Sequence, residues 1–198
     1  MPASSLVLAS ASPARLRLLR EAGFDPQVIV SGVDEEAVVE ADPSTLVRVL
    51  AEQKAGAVVD RCSADALVIG CDSMLVFGEQ VLGKPRTPAE ATERWRAMRG
   101  GVGTLLTGHC IVDVGNDQRV SEVASTVVRF GTPSDAEIAA YVATGEPLGV
   151  AGAFTLQGRS APFIDGIDGD AGNVIGLSLP LFRTLLGRLD VEVTSLWV

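Results

Sequence analysis

The side chains able to do chemistry in this chain stand at the ends of its apolar runs. Ala66-Leu67-Val68-Ile69-Gly70-Cys71 is an almost uninterrupted apolar stretch, the mark of a central strand covered on both faces, and its end delivers Asp72 and Ser73. A carboxylate at the C-terminal edge of a buried strand stands where open α/β sheets place their ligands; the plain alternative is a capping aspartate. A shorter run, Leu6-Val7-Leu8-Ala9, leads through Ser10-Ala11-Ser12 into a helix that begins at Pro13. Ser12 is a good N-cap, and first-turn amides without partners inside the helix attract anions, helped by the helix dipole and by the Ser10 and Ser12 hydroxyls. Arg15, in that first turn, is placed to add a charge-assisted contact. Without further support this is equally an ordinary strand-to-helix connection. Pro26 to Ser31 reads as a strand entering the acidic loop Asp34-Glu35-Glu36, which suits a metal ion or is simply a solvated turn. Lys84 precedes Pro85, which pushes it towards extended geometry and projects its ammonium from a fixed backbone.

Composition narrows the choices. The chain has 198 residues, long enough for one large domain or for two lobes sharing a sheet, and 47% hydrophobic residues supply the core. A formal charge of −9 argues against nucleic-acid binding, which needs a basic face to neutralise phosphates, and requires local cations wherever a small anion is held. No apolar run approaches the roughly 18 residues of a membrane span, and the start lacks a signal-peptide pattern, so a cytoplasmic protein is expected. Cys62, Cys71 and Cys110 are an odd set without Cys-x-x-Cys spacing, which points to reduced, mostly buried thiols rather than a disulfide framework or a zinc site. The chain lacks a Walker A loop and a Gly-x-Ser-x-Gly elbow, and its only histidine, His109, lies in a strand, where a hydrogen-bonded structural role is the commoner one.

The elements that must position these groups alternate between strand and helix. Helices are predicted from Pro13 to about Gly23, Ser44 to Asp60, Pro88 to Met98, Ser134 to Thr144 and Leu179 to Leu189. Strands are predicted at 66–71, in a hairpin over 74–82, at 103–114 and 119–130 around the turn Gly115-Asn116-Asp117, at 161–165, and as an edge strand at 191–197. That alternation indicates an α/β fold.

Taken in order, the Ser10–Arg15 turn, Val33-Asp34-Glu35-Glu36, Lys54-Ala55, Ile69-Gly70-Cys71-Asp72-Ser73-Met74, Leu82-Gly83-Lys84-Pro85 and Gly152-Ala153-Phe154-Thr155-Leu156-Gln157-Gly158 resemble the Maf family of nucleoside triphosphate pyrophosphatases, once discussed as septum-formation inhibitors. The resemblance runs from Leu6 to about Leu186. It implies a single domain over 1–198, with a mixed, strongly curved sheet, flanking helices and two lobes around a cleft, similar to the inosine-triphosphatase-like architecture. It also implies that Asp72 is the general base, that Glu35 and Asp72 hold a magnesium or manganese ion, and that Ser10, Ser12, Arg15, Lys54 and Lys84 bind the triphosphate. Ser73 and Gln157 fall at positions associated with choice of base; the Gln157 amide both donates and accepts. Gln157 matches members acting on dTTP and UTP, whereas Ala14, Ser73 and Val150 depart from the common pattern, so the base stays open. Family members often pair as homodimers, which the sequence neither shows nor denies. The rival expectation is a nucleotide-binding regulator of cell division with little catalysis.

Overall fold

The computed structural model describes residues 5–198. Its elements are β1 (Leu6–Leu8), α1 (Pro13–Glu21), β2 (Gln27–Val28), α2 (Pro43–Gly56), β3 (Leu67–Phe77), β4 (Gln80–Leu82), α3 (Pro88–Met98), β5 (Val102–Asp113), β6 (Gln118–Phe130), α4 (Asp135–Ala143), β7 (Ile164–Asp168), α5 (Ala171–Ile175) and α6 (Leu179–Arg188). The strands make one mixed seven-stranded sheet in the order β2-β1-β3-β5-β6-β7, with β4 paired to β3, and it does not close into a barrel. β1 runs parallel to β2 and β3, whereas β3/β4 and β6/β7 are antiparallel. Helix starts follow the predicted chemistry. Ser12, Asp42, Thr87, Ser134 and Ser178 each accept a first-turn backbone N–H, and proline follows directly at the first three.

The chain divides into two compact units. The first takes in the chain up to Asp72, Thr107–Ala124 and Gly176–Val198; the second is Ser73–Leu106 with Ser125–Ile175. In the first unit, strand alternation sorts the apolar runs onto two faces. Leu6, Leu8, Leu67, Ile69, Cys71 and Ile111 pack with Leu19 of α1 and with Phe182, Leu185 and Leu186 of α6. Val7, Ala9, Val68, Cys110 and Val112 pack with Ala51 and Ala55 of α2. Both faces being covered is why the strands read as unbroken apolar runs rather than alternating ones. Each fully buried leucine or phenylalanine contributes about 1.5–3 kcal/mol.

Two glycines seat α2 on the sheet. A Cβ at Gly70 would lie 2.3 Å from the Ala51 carbonyl oxygen and 2.7 Å from the Ala55 nitrogen, and one at Gly108 would lie 2.1 Å from the Val47 carbonyl oxygen. The helix backbone therefore rests directly on β3 and β5, the use of strand glycine that close backbone approach demands.

The second unit is built around Trp95 of α3. Its ring meets Phe130, Tyr141 and Phe163 edge-on at 5.9, 5.6 and 5.7 Å. The Trp95 indole N–H and the Tyr141 hydroxyl both donate to the Ala153 carbonyl, at 2.9 and 3.2 Å, and Ala153 is held at a left-handed φ of +62°. β3 and β4 turn through Gly78-Glu79 with Gly78 at φ +58°, the glycine-first geometry of a two-residue hairpin.

Five expectations are corrected. The strand predicted at 66–71 runs on to Phe77, because the hairpin pairing of Leu75 to Phe77 with β4 extends the same backbone. The strand predicted from Pro26 to Ser31 is two residues long, and α2 stops at Gly56 before a short 3-10 turn at Val59–Arg61. The strand predicted at 161–165 is displaced to Ile164–Asp168 behind a 3-10 turn at Ala161–Phe163. The terminal edge strand is instead a 3-10 turn at Val193–Leu196, whose Leu196 joins the α6 side of the core.

Substituting Gly70→Ala forces α2 off the sheet and lowers unfolding stability by about 1–3 kcal/mol. The control Gly56→Ala, in open space on the same helix, raises it by about 0.5 kcal/mol. Urea denaturation monitored by circular dichroism reads both.

Candidate active site

Seating α2 against Gly70 carries Lys54 to the residue two places further along the same face of β3. Its ammonium lies 2.6 Å from Asp72 Oδ1 and 2.5 Å from Glu35 Oε1. Glu35 reaches in from a 3-10 turn at Glu35–Ala37, where the Asp34 carboxylate accepts the Glu36 backbone N–H at 3.1 Å. The Lys54 and Asp72 side chains are only 8% and 6% exposed, whereas Glu35 is 52% exposed, so the pair is buried while its second carboxylate faces water. Asp72 Oδ2 is buried and has no hydrogen-bond partner among the described residues. An ionised oxygen left so is costly, and burial pushes the Asp72 carboxyl above its ordinary value despite the opposing Lys54 and Arg15 charges; the Glu35 charge adds to the rise.

Around the start of α1 the serines and Arg15 form a connected group. Ser12 N–H donates to Ser10 Oγ at 3.2 Å, and Ser12 Oγ accepts the Arg15 backbone N–H at 3.4 Å. The Arg15 side chain is buried; its Nη1 donates to Ser10 Oγ at 3.2 Å and its Nε to the Gly176 carbonyl at 2.7 Å. Thus Arg15 is a fixed charge with an anchored guanidinium, and it acts on Asp72 through its field. The first unit therefore assembles Glu35, Lys54 and Asp72 in one cluster and Ser10, Ser12 and Arg15 in another.

Ser73, Lys84 and Gln157 belong to the second unit. Ser73 is half-buried on β3, and Lys84 is exposed just after β4. Gln157 is exposed in a tightly hydrogen-bonded turn. Its N–H donates to Thr155 Oγ1 at 3.2 Å, Ser160 Oγ ties both ends of Thr155, and the Glu146 carboxylate accepts the Arg159 N–H at 2.9 Å. The Gly152-Ala153 backbone that enters this segment donates Gly152 N–H to the Gly83 carbonyl at 3.0 Å, next to Lys84.

Sequence reasoning passed over Gly70, Gly108 and Gly176. A glycine inside a strand pattern was the available signal for the first two. Asp72 was expected at a strand end and lies within one. No cluster of three or more His, Cys, Asp or Glu side chains arranged for a metal occurs among the described residues. No helix among them is long and apolar enough to cross a membrane.

The cysteines are free, as expected. Burial raises the Cys71 thiol to about 11 and the Cys110 thiol to about 12, so both stay protonated and inert at neutral pH. Iodoacetamide at pH 8 is expected to modify Cys62 alone in the native protein and all three cysteines in denaturant, as read by mass spectrometry. Substituting Lys54→Met removes the charge that holds the Asp72 pKa down, so a carboxyl-carbon NMR titration should show it rising further. An unchanged value would mean that the ammonium does not face Asp72 in solution.

A family model described as "Maf-like protein" matches residues 5–189. A Streptomyces coelicolor protein named "Nucleoside triphosphate pyrophosphatase" is 64% identical over 197 residues, covering 99% of this chain and 96% of its own. Proteins of the same name from a Mycobacterium species, strain JLS, and from Thermosynechococcus vestitus are 53% and 52% identical, covering 97% and 96% of this chain and 97% and 96% of their own.

Proposed function

The chain belongs to the Maf family, and on that premise we propose that it is a nucleoside triphosphate pyrophosphatase acting as one domain over 1–198. It splits a nucleoside triphosphate between the α and β phosphates, giving the monophosphate and pyrophosphate. The observation that most supports this is the Asp72 carboxylate: one oxygen is engaged by Lys54, and the other is buried, without a partner among the described residues and basic for an aspartate.

In this reading Asp72 takes a proton from a water that attacks the α-phosphorus while pyrophosphate leaves in line. Lys54 orients Asp72 and sets its basicity. The amides and hydroxyls of the Ser10–Ser12 turn, with Arg15 and Lys84, take up phosphate charge. Ser73 and Gln157 contact the nucleoside, and Gln157 is the residue whose amide reads the base.

The carboxylates fit a hard divalent cation. Magnesium is commonly bound by one or two protein carboxylates with phosphate and water completing its shell, so a cluster of only two acids, one with an unpartnered buried oxygen, suffices. Glu35 and Asp72 would hold the magnesium or manganese ion, which when bound supplies charge stabilisation at the phosphate oxygens. Three free cysteines suit a cytoplasmic setting. Light scattering after size-exclusion chromatography tests the homodimer that family membership implies.

A panel of canonical and modified nucleoside triphosphates, with magnesium or manganese, is the deciding experiment. Pyrophosphate release that falls by about 10²–10⁴ in Asp72→Asn, with the fold retained, is expected. Tight binding without turnover in the wild type would favour the regulator instead. Because Asp72 acts as a base only when ionised, kcat/KM should fall on acidification as its carboxyl takes up a proton. Gln157→Glu should reorder the bases more than it lowers the best rate; an unchanged order would remove that amide from base selection.

A further inference from the structure

The only histidine of the chain is fully buried in β5, in the first unit, and none of the steps above uses it. Its two ring nitrogens have partners that admit one protonation state. Nδ1 lies 2.9 Å from the Thr107 carbonyl, which can only accept, so Nδ1 carries a proton. Nε2 lies 2.8 Å from the Ser178 backbone nitrogen, which can only donate, so Nε2 is bare. A neutral ring with the proton on Nδ1 satisfies both.

Ser178 is the N-cap of α6, and its own hydroxyl accepts the Leu181 N–H at 3.2 Å. The His109 bond therefore fixes the point at which α6 begins. Two residues earlier, the Gly176 carbonyl accepts Arg15 Nε at 2.7 Å. Gly176 is held at φ +122°, and a Cβ there would lie 3.1 Å from Arg15 Nε, so the segment and the guanidinium are in close register. Leu177, between the two anchor points, is fully buried in the α6 side of the core. Three residues are thus pinned at both ends and in the middle, and the far end of that pin is Arg15, whose Nη1 bonds Ser10.

We propose that His109 is a positioning residue for Arg15: its bare Nε2 holds the Gly176–Ser178 backbone, and through the Gly176 carbonyl fixes the guanidinium beside the Ser10–Ser12 turn. The functional part of this rests on the reading of Arg15 as a phosphate-binding residue. His109 acts two steps from any ligand and touches none. Removing its acceptor leaves a buried Ser178 N–H without a partner, and the strand of backbone that carries the Arg15 anchor gains freedom. The effect belongs in substrate binding rather than in proton transfer.

Nitrogen-15 NMR of the wild-type protein tests the protonation state directly. The ring should show a protonated Nδ1 and a bare Nε2 at neutral pH; a proton on Nε2 would overturn the proposal with no variant needed. His109→Leu removes the acceptor, whereas His109→Gln carries an amide oxygen able to reach the Nε2 position. In His109→Leu the Arg15 Nε–H should exchange with solvent about tenfold faster or more, and in His109→Gln it should stay near the wild-type rate. The kinetic counterpart is a KM about tenfold higher in His109→Leu with kcat within about threefold, restored by His109→Gln. Equal Arg15 exchange in wild type and a folded His109→Leu would overturn the proposal. If His109→Leu fails to fold, exchange slower than or equal to wild type in His109→Asn, which is too short to reach Ser178, would do so. A wild type that binds but does not turn over nucleotides would end the hydrolase reading and leave the exchange result standing.

Discussion

The structure of the first unit depends on keeping an ammonium ion out of water between two carboxylates. Lys54 and Asp72 are both nearly sealed, and taking such a pair out of solvent is favourable only when the geometry is close and the remaining polar atoms are satisfied. The closeness comes from the backbone. Because Gly70 and Gly108 let α2 lie on β3 and β5 without intervening side chains, the lysine reaches the aspartate across a short gap. The satisfaction is left incomplete, since one Asp72 oxygen has no partner among the described residues. That deficit disfavours the ionised carboxylate and is the natural property of a group meant to bind something else.

Charge at this cluster must be seen against the acidity of the chain. With a net charge of −9, a polyanion is not attracted by the protein at large. On the proposed reading, binding would depend on a few cations held where solvent does not screen them. Arg15 is buried and tied to the Gly176 carbonyl, and Lys54 is buried and tied to two acids. Neither spends conformational entropy when a ligand arrives, unlike the exposed pairs Arg20–Asp25 and Arg96–Asp135, whose side chains are more than half exposed.

Much of this was legible in the residues. The apolar runs named the buried strands, and the Ser12-Pro13 and Thr87-Pro88 steps marked helix starts to the residue, while the helix expected from Ser44 begins one residue earlier, at Pro43. Asp72 could be picked out because a charged residue after six apolar ones is conspicuous. Lys54 could not, as helical periodicity alone gives a solvated lysine; only the family resemblance singled it out. The strand predicted at the C-terminus failed because Val191-Glu192-Val193-Thr194 alternates like a strand, yet a strand needs a partner edge and the core offers a pocket for Leu196 instead. The glycines beneath α2 went unread because a close approach is a property of two segments 15 and more residues apart, and a single residue type does not say which backbone arrives.

β3 passes through Asp72 without a break, from Leu67 to Phe77. The carboxylate is therefore mounted on hydrogen-bonded sheet rather than on a mobile connection, and its orientation is inherited from the pleat. Of the two residues assigned to the nucleoside, Ser73 follows Asp72 on the same strand, whereas Gln157 stands on a turn closed by hydrogen bonds to the side chains of Thr155, Ser160 and Glu146. On the proposed reading, a change in that surface turn would alter base selectivity while leaving the sheet-mounted carboxylate as it stands.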